Sequence, residues 1–236
     1  PIAAACAAAC LVGALFGALN GLLTAYVRIP SIVVTLATMV ALRDGLRWIM
    51  QGAWVQDLPP DFQWFGRSQS ASEWITIAVA GALTAATAWS LGNLAAGRAV
   101  YATGSDANAT RLAGIDPQRV VFWVFVLTGA LTGVAAGLNA VRFNQVPSNA
   151  GLGLELQVIA AVIVGGTSIS GGRGTILGTV LGVLLLGAIG PALVFLGINA
   201  YWERALQGAI ILAAVAVDAV RVRAGRYAGS LAADRA

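Results

Sequence analysis

Long apolar runs alternate with short polar stretches over most of the chain. A helix that spans a membrane needs about 20 mainly apolar residues, or roughly 17 to 25. By this measure the pattern predicts seven membrane segments, at residues 2–25, 31–50, 74–94, 120–141, 156–169, 176–196 and 204–220. The fifth is short for a crossing and ends in Gly and Ser, which is typical of a broken or re-entrant helix. We therefore predict an all-α, polytopic transmembrane helical bundle of about seven membrane segments.

Composition supports the membrane class. Of the 236 residues, 58% are hydrophobic and only 10% are charged, whereas soluble domains carry about 25% charged residues. All fourteen basic residues are arginine and they are dispersed, so the net charge of +4 does not indicate nucleic-acid binding. The sequence has no histidine, which excludes zinc sites and Ser-His or Cys-His nucleophiles. Cys6 and Cys10 are one helical turn apart and are interpreted as small packing side chains.

The arginines also predict an orientation. If the residues after 220 are cytoplasmic and the seven segments alternate, nine arginines face the cytoplasm and five face the other side. Cytoplasmic loops carry an excess of Lys and Arg, which favours this arrangement. We expect a membrane domain over residues 1–220 and a cytoplasmic tail at 221–236. Because Pro1 opens directly in an apolar run, we also expect that N-terminal spans are missing.

Glycines recur at every fourth position in three predicted helices. The three series are Gly13, Gly17 and Gly21; Gly129, Gly133 and Gly137; and Gly178 and Gly182. Each series places its glycines on one helix face, where they let neighbouring backbones approach closely in lipid. The repeats indicate close helix packing, and helices that slide past one another are the alternative interpretation.

The polar stretch 97–117 separates two predicted membrane segments and is cytoplasmic in the orientation above. Ser105 or Asp106 is suited to cap a short helix that continues to about Ala113. Gly114 would then end it. Small residues flanked by arginines would form the surface of this helix. Such a helix is a good device for docking another protein, and an ordinary interhelical loop is the alternative.

A second polar stretch, at residues 165–175, has the sequence GGTSISGGRGT. Its glycine density is similar to that of phosphate-cradling loops. However, the spacing Gly-x4-Gly-Lys-Ser/Thr is missing and the chain contains no lysine. A turn between two closely packed helices is the better interpretation.

Together these stretches resemble the sugar permeases of bacterial ABC importers, of the ribose, xylose, rhamnose and autoinducer type. The matching stretches are residues 20–23, 28–30, 34–39, 58–59, 97–115, 201–202 and, above all, 165–175 with Gly178. The resemblance covers essentially the whole chain, and such permeases are usually longer at the N-terminus. Within the family, residues 29–66 with their tryptophans are most similar to the rhamnose-type permeases.

The resemblance implies a multi-pass subunit of the bacterial inner membrane that is not an enzyme and needs no cofactor or metal. Its partners would be an ABC ATPase that hydrolyses ATP, a periplasmic solute-binding protein, membrane lipid and a second permease, identical or a sister protein. In such importers the stretch 97–117 would sit in a groove of the ATPase and receive its movement. The residues expected to carry this coupling are Arg98, Tyr101, Gly104, Ala109, Arg111 and Gly114.

Polar side chains inside the predicted segments are candidates for the solute pathway, since polar groups in a membrane are costly and mark function. Arg43 could meet the solute near the outer end of the second segment; alternatively, Asp44 pairs with a neighbouring arginine and both reach the interface. Amides on and around the loop between the fourth and fifth segments, Gln157 among them, make the paired hydrogen bonds that a sugar needs. The candidate pathway residues are Thr35, Thr38, Arg43, Asn139, Asn144 and Asn149.

Other functions fit parts of this pattern. A permease for autoinducer-2 or for a branched-chain amino acid keeps the importer role with a different cargo. An intramembrane enzyme would need a complete catalytic site, yet Asp44 and Asp218 are the only acids in the predicted segments and nothing completes a site. A passive channel would leave the capped cytoplasmic helix without a role. Import of a monosaccharide, with the rhamnose type favoured, is therefore the predicted function.

Overall fold

The structure is a computed structural model that describes residues 2–54, 69–143, 147 and 151–199, with scattered residues between 202 and 216. Eight helices lie in the continuous stretches: α1 (Ile2–Ala25), α2 (Ser31–Ile49), α3 (Gln69–Asn93), α4 (Ala95–Ser105), α5 (Ala107–Leu112), α6 (Pro117–Phe143), α7 (Leu154–Val164) and α8 (Ile176–Phe195). These described residues contain no strand. Helices suit an apolar chain because they satisfy their own backbone hydrogen bonds in lipid. The predicted all-α class is confirmed.

Four helices are long and apolar enough to cross a membrane: Ala4–Ala25, Glu73–Asn93, Pro117–Ala140 and Ile176–Phe195. They correspond to the first, third, fourth and sixth predicted segments. The second predicted segment is helix α2, which is less apolar because it carries Arg43, Asp44 and Arg47. The seventh, at 204–220, lies mostly outside the described residues. Four crossings are therefore supported by length and composition, and the count of about seven stays a prediction.

Helix α7 is the fifth predicted segment, and it has 11 residues. At 1.5 Å per residue it is about 16 Å long, roughly half of the ~30 Å hydrocarbon core of a bilayer. The prediction that this segment is too short to cross is confirmed. Its broken or re-entrant character stays a prediction.

Residues 1–150 and residues 151–236 form two compact units. In the first unit, α1 packs along α6 and also contacts α2. Helix α4 contacts α3, α5 and α6, and α5 contacts α6. The polar stretch that carries α4 and α5 is thus attached to one of the long apolar helices.

The contact of α1 with α6 is made by the two predicted glycine series, and we call it the α1–α6 seam. It comprises Gly13, Gly17 and Gly21 on α1 and Gly129, Gly133 and Gly137 on α6. A Cβ on Gly17 would lie 3.2 Å from the Cα of Gly129, and one on Gly13 would overlap the Gly129 carbonyl. The contacts run in opposite directions along the two helices, so α1 and α6 are antiparallel. The predicted close packing is confirmed, and the two series are each other's partners.

Larger side chains lie at the two ends of this seam. At one end, the Sγ of Cys6 lies 3.4 Å from where a Cβ of Gly137 would be. Cys6 and Cys10 are both free thiols, in keeping with the packing role predicted for them. At the other end, the rings of Tyr26 and Phe122 meet edge to face with centroids 6.1 Å apart.

In the second unit, α7 and α8 form an antiparallel helical hairpin. Gly165 meets Gly178, and a Cβ on Gly182 would lie 3.1 Å from the Gly165 amide nitrogen. Ala160, Ala161 and Leu186 form the buried core, and Ile189 and Ile210 pack against it. The turn is closed by the Ser168 N–H, which donates to the Arg173 carbonyl at 2.9 Å. The stretch 165–175 is therefore a turn between closely packed helices, as predicted.

Candidate functional site

The stretch 97–117 contains more helix than the sequence predicted. Ser105 ends helix α4 and does not cap the next helix, which corrects one of the two capping alternatives. Gly97 is buried where α4 leaves α3, and a Cβ there would overlap the Leu91 carbonyl. Glycines such as Gly97 and Gly104 disfavour helix by about 1 kcal/mol each, which made this part resemble a loop. Packing of α4 against α3 and α6 outweighs that preference.

Helix α5 has six residues and is held by local hydrogen bonds. The Oδ1 of Asp106 accepts from the backbone N–H of Asn108 at 2.8 Å and of Ala109 at 3.1 Å. This confirms the capping role predicted for Asp106, which satisfies two backbone donors that have no partner inside the helix. Gly114, at φ +84, follows the helix and closes it, with its N–H donating to the Arg111 carbonyl at 3.0 Å.

One side of α5 is anchored. Thr110 is only 4% exposed, and its hydroxyl donates to the Asp106 carbonyl at 2.7 Å. Asp116 then caps helix α6 by accepting from the Gln118 N–H at 3.0 Å. The same carboxylate pairs with Arg119 at 3.3 Å. Local hydrogen bonds therefore fix the short helix at both ends and leave its other side free.

The free side carries what we call the α5 surface: Ala109, Arg111 and Leu112. All three residues are exposed, and Leu112 is 91% exposed. A single exposed leucine is common in folded proteins. Here it projects from a capped six-residue helix beside an arginine, an arrangement suited to an apolar socket with a polar or acidic rim. The sequence indicated small residues and arginine at this surface but not the exposure of Leu112.

The predicted coupling residues occupy two helices. Arg98, Tyr101 and Gly104 lie on α4, whereas Ala109 and Arg111 lie on α5 and Gly114 follows it. Arg98 is exposed, and its guanidinium donates to the Asn93 carbonyl at 3.4 Å. Gly104 and Gly114 are also exposed, while Tyr101 is half-buried. Five of the six residues are thus accessible to a partner.

Two predicted pathway residues, Thr35 and Thr38, lie half-buried on one face of α2. The Thr35 hydroxyl donates to the Ser31 carbonyl at 2.9 Å, and the Thr38 hydroxyl donates to the Val34 carbonyl at 2.9 Å. Both hydroxyl protons are therefore used within the helix. The oxygens keep lone pairs, so each threonine can still accept a hydrogen bond from a solute.

The charged end of α2 contains one described ion pair. Asp44 lies 3.8 Å from the guanidinium of Arg47, and the two side chains are 64% and 40% exposed. The alternative in which Asp44 pairs with a neighbouring arginine is thus observed for Arg47. Arg43 is half-buried and makes no ion pair with the described residues. As far as the described residues show, Arg43 therefore stays available to a solute or partner.

The predicted amides divide between described and undescribed parts of the chain. Asn139 is exposed on α6. Asn144 and Asn149 lie outside the described residues. No hydrogen bond joins Asn139 to Thr35 or Thr38 in the part of the chain that the structure describes, where both hydroxyls donate within α2.

Sequence analysis missed two polar side chains of α1. The Oδ1 of Asn20 and the Oγ1 of Thr24 are buried and have no hydrogen-bond partner among the described residues. The two residues are four apart and share a helix face. Unpaired buried polar atoms are costly in an apolar helix, so both join the candidates for the pathway. Their only sequence signal is their position inside an apolar run.

A metal-assisted site has no support in the described residues. No group of three His, Cys, Asp or Glu side chains among them is placed to hold a metal ion. The polar chemistry of this part of the chain consists of capped helix ends, hydroxyls, amides and arginines. These groups bind and position molecules by hydrogen bonds.

Comparison with known proteins decides the family. A family model described as the permease component of a branched-chain amino acid transport system matches residues 1–215. The chain belongs to this permease family. The match covers α1 to α8, including the α5 surface, and agrees with the resemblance drawn from the motifs. With its four long apolar helices, this permease is a multi-pass membrane protein.

Curated relatives place the permease more closely. It is 35% identical over 221 residues to the autoinducer 2 import system permease protein LsrC of Yersinia pseudotuberculosis serotype O:1b, which covers 92% of the chain and 62% of the relative. The same identity and coverage hold for LsrC of Yersinia pestis strain Pestoides F. LsrC of Y. pseudotuberculosis serotype O:3 is 35% identical over 200 residues, or 83% of the chain and 56% of the relative. The permease thus spans about 56–62% of the length of these relatives. No solved structure matches it significantly.

Proposed function

We propose that this chain is the membrane-embedded permease of an ABC importer for a small, neutral, hydroxylated solute. The observation that carries the proposal is the capped helix α5, which presents Leu112 and Arg111 outside the apolar helices of a chain in a permease family. A protein that only conducts has no need of such a surface. The permease itself catalyses no reaction, and ATP is hydrolysed by a separate ATPase subunit.

In this proposal the α5 surface docks on that ATPase. Leu112 enters an apolar socket, and Arg111 and Arg98 meet acidic or polar groups at its rim. Because local hydrogen bonds from Asp106 and Thr110 hold α5, a push on its surface is passed to α6 instead of unwinding the helix. Gly104 and Gly114 leave room for the ATPase on either side.

The names of the relatives bear mainly on which solute is imported. The predicted rhamnose type and its autoinducer-2 alternative fit the chain about equally well, since the curated relatives are named for autoinducer 2. The family model is described for branched-chain amino acids. We favour a sugar or autoinducer-2, because the relatives share 35% identity over most of the chain.

The proposed pathway uses polar groups of the membrane helices. Thr35, Thr38 and Asn139 would accept or donate hydrogen bonds to solute hydroxyls, and Arg43 would meet the solute near the entrance. Asn144 and Asn149 stay predictions for the same path. Asn20 and Thr24 of α1 offer two further polar atoms with no described partner.

The proposed orientation has the C-terminal tail in the cytoplasm of a bacterium and about seven membrane segments, of which α7 is re-entrant. Two observations support the alternation of direction that this orientation assumes. Helices α1 and α6, the first and fourth segments, are antiparallel, and so are α7 and α8, the fifth and sixth. The remaining proposed partners are a periplasmic binding protein that delivers the solute and a second permease, identical or related.

Uptake by a strain that lacks the intact gene tests this function. The strain would be given labelled rhamnose, ribose, xylose, autoinducer-2 and leucine, each with and without a plasmid copy of the gene. We expect loss of one sugar or of autoinducer-2, restored by the plasmid. Loss of leucine uptake alone would instead assign the permease to amino-acid import.

A further inference from the structure

A left-handed turn follows helix α1 at the end of its apolar span. Its central residue is Arg28, with φ +65, a conformation that is uncommon for residues other than glycine. The turn brings the chain back to the helix, because the Ile29 N–H donates to the Leu23 carbonyl at 3.3 Å. Glycine is the usual residue at such a helix end. Arg28 therefore occupies this position at a backbone cost that glycine would avoid.

The guanidinium of Arg28 has no acidic partner in the part of the chain that the structure describes. Arg28 is exposed and makes no ion pair with the other described residues. Two described acids lie at this end of the first unit, and both are engaged. Asp106 caps α5, whereas Asp116 caps α6 and pairs with Arg119 at 3.3 Å. The positive charge of Arg28 is therefore open to an anion that the described residues do not supply.

Aromatic side chains lie beside this turn, at the depth where lipid headgroups meet the hydrocarbon chains. The apolar span of α1 ends at Ala25, and that of α6 begins at Pro117. The ring of Phe122 contacts Tyr26 at a centroid distance of 6.1 Å and Trp123 at 5.6 Å. Tyr26 and Trp123 are both exposed. Exposed Tyr and Trp at the ends of spans are typical of the interface between membrane and water.

This combination of side chains suits an anionic phospholipid. A guanidinium binds phosphate through two parallel hydrogen bonds, and the Tyr26 hydroxyl can donate another. The exposed side chains of Val27 and Trp123 suit the glycerol and the first carbons of the lipid chains. The α5 surface, in contrast, contains no aromatic residue. In the proposed orientation this end faces the cytoplasm, where anionic lipids give the membrane a negative surface potential.

We propose that Tyr26, Val27, Arg28 and Trp123 form a binding site for the phosphate headgroup of an anionic phospholipid. Arg28 binds the phosphate, and the left-handed turn holds it at the level of the headgroups. The inference goes beyond the proposed import function. It rests on the membrane class of the chain and needs no particular cargo.

The test uses the intact permease in nanodiscs that contain equal parts of phosphatidylglycerol and phosphatidylcholine. After extraction in detergent, the two lipids that stay bound are quantified by mass spectrometry. Arg28→Gly should lower the ratio of bound phosphatidylglycerol to bound phosphatidylcholine about fivefold, the factor that corresponds to about 1 kcal/mol for one arginine. Because glycine suits a φ of +65, the melting temperature in pure phosphatidylcholine should not fall. A loss of bound phosphatidylglycerol then has no origin in misfolding.

Two further variants sharpen the result. Arg111→Gln removes the same charge from the α5 surface and is the matched control, so its lipid ratio should equal that of the wild type. Arg28→Lys keeps the charge but loses the paired hydrogen bonds of the guanidinium. Its lipid ratio should fall between those of the wild type and Arg28→Gly.

Different results would assign Arg28 to other roles and overturn the proposal. An unchanged lipid ratio in Arg28→Gly would show that the arginine binds no lipid phosphate. A lower melting temperature of this variant in pure phosphatidylcholine would mean that Arg28 serves the C-terminal dipole of α1 instead. A normal lipid ratio with weaker binding of the ATPase subunit would place Arg28 in the protein interface. Equal stabilisation of the wild type by soluble glycerophosphate would reveal an anion site that does not need a lipid.

Discussion

The α1–α6 seam and the α4–α5 stretch belong to the same unit, yet they are built in opposite ways. In the seam the backbones of α1 and α6 are in direct contact, because glycines occupy the positions where side chains would keep the helices apart. The α4–α5 stretch is held by hydrogen bonds from Asp106 and Thr110, and its surface side chains point away from the fold. The first has no room for added atoms, whereas the second has free space around it.

This difference means that substitutions in the seam should affect stability, whereas substitutions on the α5 surface should affect function. Because packed interiors leave few voids, an added side chain in the seam must push two helices apart. An added side chain on the α5 surface disturbs nothing within the chain and affects only what docks there. We therefore expect seam variants to lose the folded protein, and α5 variants to keep the protein but lose coupled transport.

The largest effect is expected for Gly129→Leu. A Cβ at this position already lies 3.0 Å from the Cα of Gly17 and overlaps the Gly13 carbonyl. Destabilisation should reach or exceed ~3 kcal/mol, the upper end for overpacked cores. Gly81→Leu on α3 is the matched control, since a Cβ there meets nothing within 4 Å. The amount of folded protein that survives extraction and mild heating is measured for both variants. Equal survival would contradict the close packing of the seam.

A loss of coupling without loss of protein is expected for Ala109→Trp. Ala109 is exposed on the α5 surface, so the indole should block docking of the ATPase while the membrane level stays normal. Ala86→Trp, at an exposed position of α3, is the control. ATP hydrolysis stimulated by the loaded binding protein, compared with uptake, measures coupling. Normal coupling in Ala109→Trp would refute the docking role of α5.

A moderate effect is expected for Asp106→Ala. Removing a helix cap costs about 0.5–2 kcal/mol, so α5 should fray while the rest of the unit holds. Hydrogen exchange at the amides of Asn108 and Ala109 should become faster, because both donate to Oδ1. Asp106→Asn keeps an acceptor oxygen and should retain most of the protection. Equal exchange in all three proteins would show that the cap does not hold α5.

The smallest effect is expected for Asp44→Asn, outside both regions. Its pair with Arg47 is long, at 3.8 Å, and both groups are well exposed. Exposed ion pairs contribute about 0.2–1 kcal/mol at most. The melting temperature should therefore hardly change. A large drop would mean that this end of α2 is buried against another subunit.

The sequence predicted the features that depend on local chemistry. Apolar length defined α1 and α8 closely, and spacing identified the glycine series. The Asp106 cap and the turn at Gly114 follow from residue preferences that act within a few positions. The low polarity of the chain also fixed the membrane class.

Features that depend on tertiary contact could not be predicted. Gly13 matches Gly129 only because α1 and α6 meet, and no local signal specifies that pairing. Helix α4 forms despite the low helix propensity of its glycines, because it packs against α3 and α6. The α7–α8 hairpin likewise depends on tertiary contact, since Gly165 meets Gly178 across the turn.

The most direct test of the central claim is cross-linking from the α5 surface. A photo-cross-linking amino acid would replace Leu112 in the complete importer, and the same amino acid would replace Leu15, an exposed residue of the apolar helix α1, as the control. The account predicts that position 112 attaches to the ATPase subunit and that the yield changes with ATP, while position 15 does not attach to it. Absence of any ATPase adduct from position 112, in an importer that hydrolyses ATP and transports, would contradict the account.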